Sequence, residues 1–569
     1  MTNVFRDFLA GVEQAVAACG LPTARFAVEL PRDPAHGDWT TNAAMVLAKA
    51  ASKPPRAIAE QLLPELKKLP DVAKAEIAGP GFINVTMTAA FWQRQIIAIG
   101  QEGVAFGDSA LGGNISTNIE YVSANPTGPM HIGHLRNACF GDALANVMAK
   151  AGYKLTREFY TNDAGNQMDI LARSVHLRYR ELFGESITIP EGMYPAEYVI
   201  DCAEALKARD GEKWLNKPES DWLTPLRLFS GDFFLEEIKH DLSLIGVKMD
   251  VYTSERELRA SGAVEKCLAF LQERGLVYRG ILEPPKGKVL EDWEPKEQTL
   301  FRSTQFGDDV DRPLVKADGG YTYFAPDIAY HLDKYKRSGG VMVTVVGDGH
   351  AGWVKRIKAA VAAVSEGKAQ FSVKMYALVK ILENGQPVRM SKRAGNFITL
   401  RDAVEKVGRD VLRFIMLTRA PEQILEFDFA KVVEQSKDNP VFSVQYAHAR
   451  CQSVLRQGAA VNLSPAVNHL ELLTDPDELA HIKKMAEWPR LVEQAAQAQE
   501  PHRVAYYLQD LAASFHSLWN KGSDNTSLRF VREDAPELTQ ARLALVQANA
   551  TVIASGLKVL GVEPVMEMR

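Results

Sequence analysis

The spacing of apolar positions changes character twice along the chain. Val4, Phe5, Phe8, Leu9 and Val12 recur at helical spacing, with Arg6, Asp7 and Glu13 between them, and predict an amphipathic helix. A turn-rich stretch, Pro31 to Asp38, leads into a helical run from Thr41 to Ala51. Ile77 to Met87 joins a Gly/Pro turn to an alternating strand. Gly103 to Asn114 carries four glycines and little periodicity, which marks a linker. Residues 1–110 therefore read as a small α/β module. Over 111–432 short β-branched runs, Ile115 to Val122 and Val341 to Val346, alternate with helical patterns and predict a parallel α/β sheet. Within it, 165–240 is mainly helical and charged, as an insertion would be. From 433 to 569 the period is helical throughout and the composition rich in Ala, Gln and Leu, an all-α unit. No repeat of fixed period and no low-complexity segment stands out.

Composition narrows this without naming a function. The chain has 569 residues, 46% hydrophobic and 24% charged, which excludes wholesale disorder. At roughly 100–200 residues per domain, about three domains are expected. A net charge of −5 argues against an indiscriminate nucleic-acid coat but leaves room for a local basic groove. Five scattered cysteines with no Cys-x-x-Cys pair predict neither a disulfide framework nor a thiolate zinc site, and fit a reducing cytoplasm. No continuous apolar run reaches the roughly 18 residues of a membrane span, and the first helix is not patterned as a signal peptide. A cytoplasmic protein without a membrane partner is expected.

The most informative stretch is Glu120-Tyr-Val-Ser-Ala-Asn-Pro-Thr-Gly-Pro-Met-His-Ile-Gly-His-Leu-Arg-Asn-Ala138. It begins at the end of an apolar strand and runs into a helix opening near His131. Gly128 and Pro129 make the turn, and Gly133 lets a ligand approach the backbone without a Cβ in the way. His131 and His134, three apart, share one face at the positive end of the helix, a setting that suits a polyphosphate and charge developing on a phosphoryl group. Two alternatives stand beside this. The pair could ligate a metal, although no third ligand sits nearby and i, i+4 is the usual helical spacing. Equally, they could be ordinary surface or core histidines.

His131-Ile-Gly-His134 after such a strand resembles the signature of class I aminoacyl-tRNA synthetases. Small nucleotidyltransferases carry a related His-x-Gly-His, so a second motif matters. Pro387-Val-Arg-Met-Ser-Lys-Arg-Ala-Gly-Asn396 resembles the Lys-Met-Ser-Lys-Ser loop of the same class, with Lys392 at the second Lys, Arg389 at the first and Arg393 in place of the final Ser. Arg keeps the charge at 389 but with fork geometry. In isolation the segment would read as a solvated basic turn. The resemblance implies a doubly wound, Rossmann-type catalytic domain. It places ATP against Pro126, Gly128, His131, Gly133, His134, His350, Arg389, Met390, Ser391 and Lys392, with His131, His134 and Lys392 catalytic. An amino-acid carboxylate attacks the α-phosphorus of ATP, pyrophosphate leaves, and the acyl group passes to a terminal tRNA hydroxyl. Positioning and charge neutralisation supply the catalysis. Mg²⁺ is implied with ATP, and no protein-held metal.

A cationic substrate needs fixed carboxylates in its pocket. Glu120 and Asp327, the latter in Tyr321-Thr-Tyr-Phe-Ala-Pro-Asp-Ile-Ala-Tyr-His331, are the candidates, with Tyr323 closing the pocket by its hydroxyl or its ring face. Either could be structural instead, Asp327 as a helix N-cap and Glu120 as a strand-end charge. The Glu120–Ala138 stretch is similar to arginyl-tRNA synthetases in particular. So are Tyr160-Thr-Asn-Asp-Ala-Gly-Asn-Gln167, Phe301-Arg-Ser-Thr-Gln-Phe-Gly-Asp-Asp309, and Tyr323 with Asp327 four residues on. The family's substrate positions fall on Glu120, Ser123, Asn125, Tyr323 and Asp327. The usual Tyr-x-Thr-Arg-Asp reads Tyr323-Phe-Ala-Pro-Asp327 here, and Lys392 is present where many arginyl enzymes lack it. The resemblance also implies that tRNA must bind before arginine is activated. No editing domain is required, since a site built for a guanidinium rejects substrates lacking one.

The flanks complete the reading. Residues 431–569 hold 14 Lys+Arg against 16 Asp+Glu, so RNA contact there needs a shaped local surface. Pro440-Val-Phe-Ser-Val-Gln-Tyr-Ala-His-Ala-Arg450 resembles the start of the family's anticodon-binding domain, with Tyr446 and Arg450 near the anticodon, or Tyr446 in the helix core. His36-Gly-Asp-Trp-Thr-Thr-Asn42 and Gly79-Pro-Gly-Phe-Ile-Asn84 resemble the N-terminal tRNA-binding module, with Phe82 and Asn84 as contacts. The expectation is an arginine–tRNA ligase acting as a monomer on tRNA, L-arginine and ATP. A different class I synthetase, a small nucleotidyltransferase and a non-catalytic RNA-binding relative are its rivals.

Overall fold

The computed structural model describes residues 2–282, 296–388, 398–434 and 439–568. Its centre is a five-stranded sheet of β1 (Ser116–Glu120), β2 (Lys154–Thr161), β3 (Val251–Ser254), β4 (Val341–Gly347) and β5 (Gln370–Tyr376). Every neighbouring pair is parallel, and the spatial order is β3-β2-β1-β4-β5. Parallel strands require long crossovers, and right-handed crossovers running outward in both directions from β1 put helices on both faces. The direction of winding reverses between β1 and β4. That crevice, at the carboxyl ends of the strands, is where ligands of doubly wound sheets bind.

Three helices line it: α1 (Ile132–Lys150) after β1, α2 (Phe324–Ser338) before β4, and α3 (Ala351–Val364) after β4. α1 is apolar nearly all round, with Leu135, Ala138, Cys139, Leu144 and Val147 fully buried, as a helix packed on several sides must be. The charged stretch after β2 forms helices Asn166–Glu181, Tyr198–Asp210 and Glu219–Leu244 around their own core of Leu171, Val175, Tyr179, Leu206 and Phe234. A second insertion, unforeseen in the sequence, is an antiparallel sheet of Val277–Gly280, Gln298–Phe301 and Arg312–Val315.

The N-terminal helix Val4–Ala18 starts at Asn3, whose side chain accepts from Phe5 N and Arg6 N. It packs on a four-stranded antiparallel sheet that includes the hairpin Val72–Ala78/Phe82–Met87. The expected linker from Gly103 holds a short 3₁₀ turn, Gly103–Ala105. The C-terminal region consists of helices Pro440–Ala460, Pro476–Ala486, Trp488–Ala498, His502–Asp524 and α4 (Pro536–Leu560). α4 is long and apolar enough by composition to cross a membrane, although its sequence holds no continuous apolar run; 78% of its most apolar window is buried inside the fold, as in a core helix. Lys483 pairs with buried Asp38, and Arg6 with Glu493, tying the two ends of the chain together.

Candidate active site

The predicted strand Ile115–Val122 ends early, at Glu120. Val122 and Ser123 take positive φ, 69° and 43°, a conformation that a β-branched residue adopts only under constraint. The constraint is visible. Val122 N donates to Asn137 Oδ1 at 2.9 Å, and Asn137 in turn donates to Val345 O of β4. Ser123 Oγ accepts from Tyr160 N at 3.1 Å and donates to Glu120 Oε1 at 3.0 Å. The chain is thereby turned over the strand ends toward α1. Asn125 Nδ2 reaches Gln167 Oε1 at 2.9 Å, and Pro126 lies buried beside it. Gly128, at φ +150°, leaves room for the Tyr198 ring, which would lie 2.8 Å from a Cβ there.

His131 is the N-cap of α1, in a capping box closed with His134: His131 Nδ1 accepts from Gly133 N at 3.1 Å, and His134 Nδ1 accepts from His131 N at 3.3 Å. The rings stack with centroids 3.8 Å apart and an interplanar angle of 22°. The space over Gly133, expected to admit a ligand, holds the His131 ring, 2.8 Å from where a Cβ would stand. Gly133 therefore makes room for the His131 ring that caps the helix. Ile132 N donates to Ile398 O and Leu400 N to Met130 O, so the chain following the basic loop is stitched to the start of α1. Arg389, Met390, Ser391 and Lys392 lie outside the described residues. His350 is exposed at the carboxyl end of β4.

The carboxylates occupy the other side of the crevice. Glu120 is buried, with Lys334 Nζ 2.7 Å from Oε2. Burial opposes its ionisation, but the Lys334 ammonium overrides this and holds the carboxyl below its usual range. Asp327 sits in the first turn of α2, whose cap position is Tyr323, and accepts from Trp353 Nε1 at 3.0 Å. Burial, reinforced by the charges of Glu255 and Glu120, raises Asp327 to about 7 despite that hydrogen bond. The same burial and carboxylates push the Tyr160 phenol far above its ordinary value. His331, lowered by burial to about 4 and hence neutral, donates from Nδ1 to Asp327 O at 2.8 Å. Tyr323 is 81% exposed and stands off the pocket. Glu255, buried at the start of the helix after β3, and Lys334 were not singled out from sequence. An acidic residue directly after the strand Val251–Ser254 was the signal available for Glu255; Lys334 gave none.

Away from the crevice, Phe82 is partly exposed at the start of its strand and Asn84 is buried two residues on. Tyr446 lies on the surface of its helix, 37% exposed. Arg450 lies between two rings, 4.3 Å from the Tyr446 centroid and 4.6 Å from that of Trp519. Together with Arg456 and Met568 these residues line a cavity of about 480 Å³. Among the described residues no group of three or more His, Cys, Asp or Glu side chains could hold a metal ion.

A doubly wound sheet with a paired-histidine helix cap at its switch point is the arrangement of the class I aminoacyl-tRNA synthetases, and the comparisons place the chain in that class. Family models agree: residues 100–196 match the class I (R) tRNA synthetase catalytic domain, 7–87 the arginyl-tRNA synthetase N-terminal domain, and 444–568 the DALR anticodon-binding domain. The chain is 53% identical to the arginine–tRNA ligase of Ruegeria pomeroyi over 97% of this chain and 96% of that one, and 53% identical to that of Parvibaculum lavamentivorans over the full length of both. Its fold superposes on the Thermus thermophilus arginyl-tRNA synthetase with a TM-score of 0.75 at 21% identity, covering 99% of this chain and 100% of that one. The chain belongs to the arginine–tRNA ligase family.

Proposed function

We propose that the residues around the end of β1 carry out the family's reaction, activation of L-arginine by ATP and transfer of arginine to the 3′ end of tRNA. ATP lies along the start of α1, against Pro126, Gly128, Gly133 and the two histidines, with His350 on its far side. Lys392, assisted by Arg389, Met390 and Ser391, meets the phosphates from the loop. Mg²⁺ accompanies ATP, held by the nucleotide rather than by a protein cage. The arginine carboxylate attacks the α-phosphorus, forming the mixed anhydride as the bond to pyrophosphate breaks. His131 and His134 stabilise the charge that shifts onto the phosphoryl oxygens. A tRNA hydroxyl then attacks the acyl carbon and releases AMP.

The arginine side chain lies against Asp327, with Tyr323 folding over it, Ser123 and Asn125 at its amino-acid end and Glu120 as the floor; Glu255, close by, is already paired with Arg259. The single observation that carries this reading is the half-buried Asp327 among other carboxylates, raised to about 7, because such a group gains most from a buried cation. Residues 1–110 and 433–569 are the tRNA-binding modules, flanking a catalytic unit of 111–432. Tyr446, Arg450 and Trp519 offer stacking surfaces for unpaired anticodon bases, and Phe82, with Asn84 behind it, faces tRNA at the other end. The protein acts as a cytoplasmic monomer with no membrane partner; its five cysteines are all free thiols, as a reducing compartment keeps them. The test is ATP–pyrophosphate exchange with each amino acid, with and without tRNA. Exchange with arginine, dependent on tRNA, is expected; exchange with lysine or cysteine in its place would overturn the assignment.

A further inference from the structure

Helix α2 is docked on the sheet by two ion pairs, one buried at Lys334 and one whose arginine, Arg337, reaches in from the surface. Glu120 and Glu158 are registered partners on the adjacent parallel strands β1 and β2. Two carboxylates so placed repel, and each needs its own cation. One helix supplies both. Lys334 Nζ lies 2.7 Å from Glu120 Oε2, and Arg337 Nη2 lies 2.7 Å from Glu158 Oε1. The Lys334 side chain has no exposed surface, and it donates a second bond to Thr344 Oγ1 on β4 at 3.0 Å. It therefore spans the switch point itself, because Thr344 is the β4 register partner of Glu120.

Asp327 lies seven residues before Lys334, two turns away along the same helix face. Two point anchors on neighbouring strands fix how far along its axis the helix sits, and so where Asp327 is held. Glu120 has little left to offer a ligand: one oxygen accepts from Lys334 and the other from Ser123 Oγ. We infer that Lys334 is a positioning residue for the amino-acid substrate, neutralising Glu120 as Arg259 neutralises Glu255, so that Asp327 receives the guanidinium, and fixing the helix that presents Asp327. Glu120 then serves arginine through Lys334 and the Ser123 turn. This rests on the arginine reading above.

The test is arginine-dependent ATP–pyrophosphate exchange at saturating tRNA for wild type, Lys334→Met, Glu120→Gln and the double variant. Wild-type exchange with arginine tests the substrate reading alone; only the variants bear on positioning. Lys334→Met should raise the KM for arginine at least tenfold, with the KM for ATP within twofold of wild type. The double variant should recover at least threefold relative to Lys334→Met, since a neutral amide no longer needs the cation. Unchanged arginine KM in Lys334→Met would overturn the inference. So would single effects that multiply in the double variant, which would mean that Glu120 meets the substrate independently of Lys334. Should Lys334→Met fail to fold, Glu120→Gln/Lys334→Gln against Glu120→Gln alone decides the matter. Recovery by the amide pair supports positioning, and a double variant no better than Glu120→Gln overturns it.

Discussion

The two sides of the crevice are built in opposite ways. The start of α1 closes on itself within four residues, His131 capping Gly133 and His134 returning the bond. The carboxylate side is assembled from distant positions, and the cation of Glu120 comes from 214 residues away. Two carboxyl groups of ordinary chemistry thereby diverge, Glu120 held down by Lys334 and Asp327 pushed up to about 7. A paired-histidine cap is a local device that a strand-to-helix turn can carry by itself. A pocket for a cation needs charges that are buried yet uncommitted, and only tertiary structure can decide which charges remain so.

That contrast predicts a division of kinetic effects. The largest is Lys392→Ala, expected to lower kcat by about 10³-fold, roughly 4 kcal/mol of transition-state stabilisation, while leaving the KM for arginine within about threefold. Next is Asp327→Asn, which removes the charge proposed to face the guanidinium. It should raise the KM for arginine by about 10²-fold or more, the order of 3 kcal/mol for breaking a buried charge pair, with a much smaller change in the KM for ATP. Steady-state exchange kinetics with each substrate varied in turn separate the two. If either variant shifted the other side's constant as strongly, the division would collapse.

A third prediction uses the proton on Asp327. With a pKa of about 7 in the fold against 3.8 for the ordinary group, the folded state between those values holds a proton that the unfolded chain has lost. Stability of the empty enzyme therefore falls as pH rises through this window and stays reduced above it. Asp327→Asn should stabilise the empty enzyme at pH 8 by up to about 4 kcal/mol, and by little at pH 4, measured by denaturant unfolding at both pH values. Arginine needs the ionised form, so its KM should rise up to about tenfold per unit as pH falls below 7. Binding near pH 6.5 should release a proton, seen calorimetrically in buffers of different ionisation enthalpy. A flat KM profile from pH 5.5 to 8 would remove Asp327 from the pocket.

The same contrast explains what could be read from sequence. The strand at 116–120, the cap at His131 and the helical C-terminal region were legible because apolar period and short-range motifs encode them. The antiparallel insertion at 277–315 was not, since its three strands have only four residues each and little alternation to read. Glu120 and Asp327 were recognisable as candidate carboxylates, but not their opposite states of charge. Lys334 in Asp333-Lys-Tyr-Lys-Arg337 looks like any solvated run of charges, and only burial against Thr344 separates it from its neighbours. Asn84 likewise alternates as a strand residue should, and the register that places it inside depends on pairing with Thr40 and Glu76.

The smallest effect expected is at Tyr323, where the contrast is between the empty and the occupied pocket. At 81% exposure the ring buries little, so Tyr323→Ala should change the stability of the empty enzyme by no more than about 0.5 kcal/mol. In the presence of arginine the same substitution should raise the KM roughly tenfold, the worth of a partly desolvated cation–π contact of about 1–2 kcal/mol. Tyr323→Phe separates the two ways the residue could act. A ring face over the guanidinium survives loss of the hydroxyl, so the KM should stay within about twofold of wild type. The ring is the expected contact because Asp327, in the proposed site, supplies the acceptor for the guanidinium, whose five N–H groups leave it no acceptor for a phenolic proton. A tenfold rise in Tyr323→Phe would assign the contact to the hydroxyl oxygen instead, making Tyr323 part of the hydrogen-bonded acceptor set rather than a lid over it.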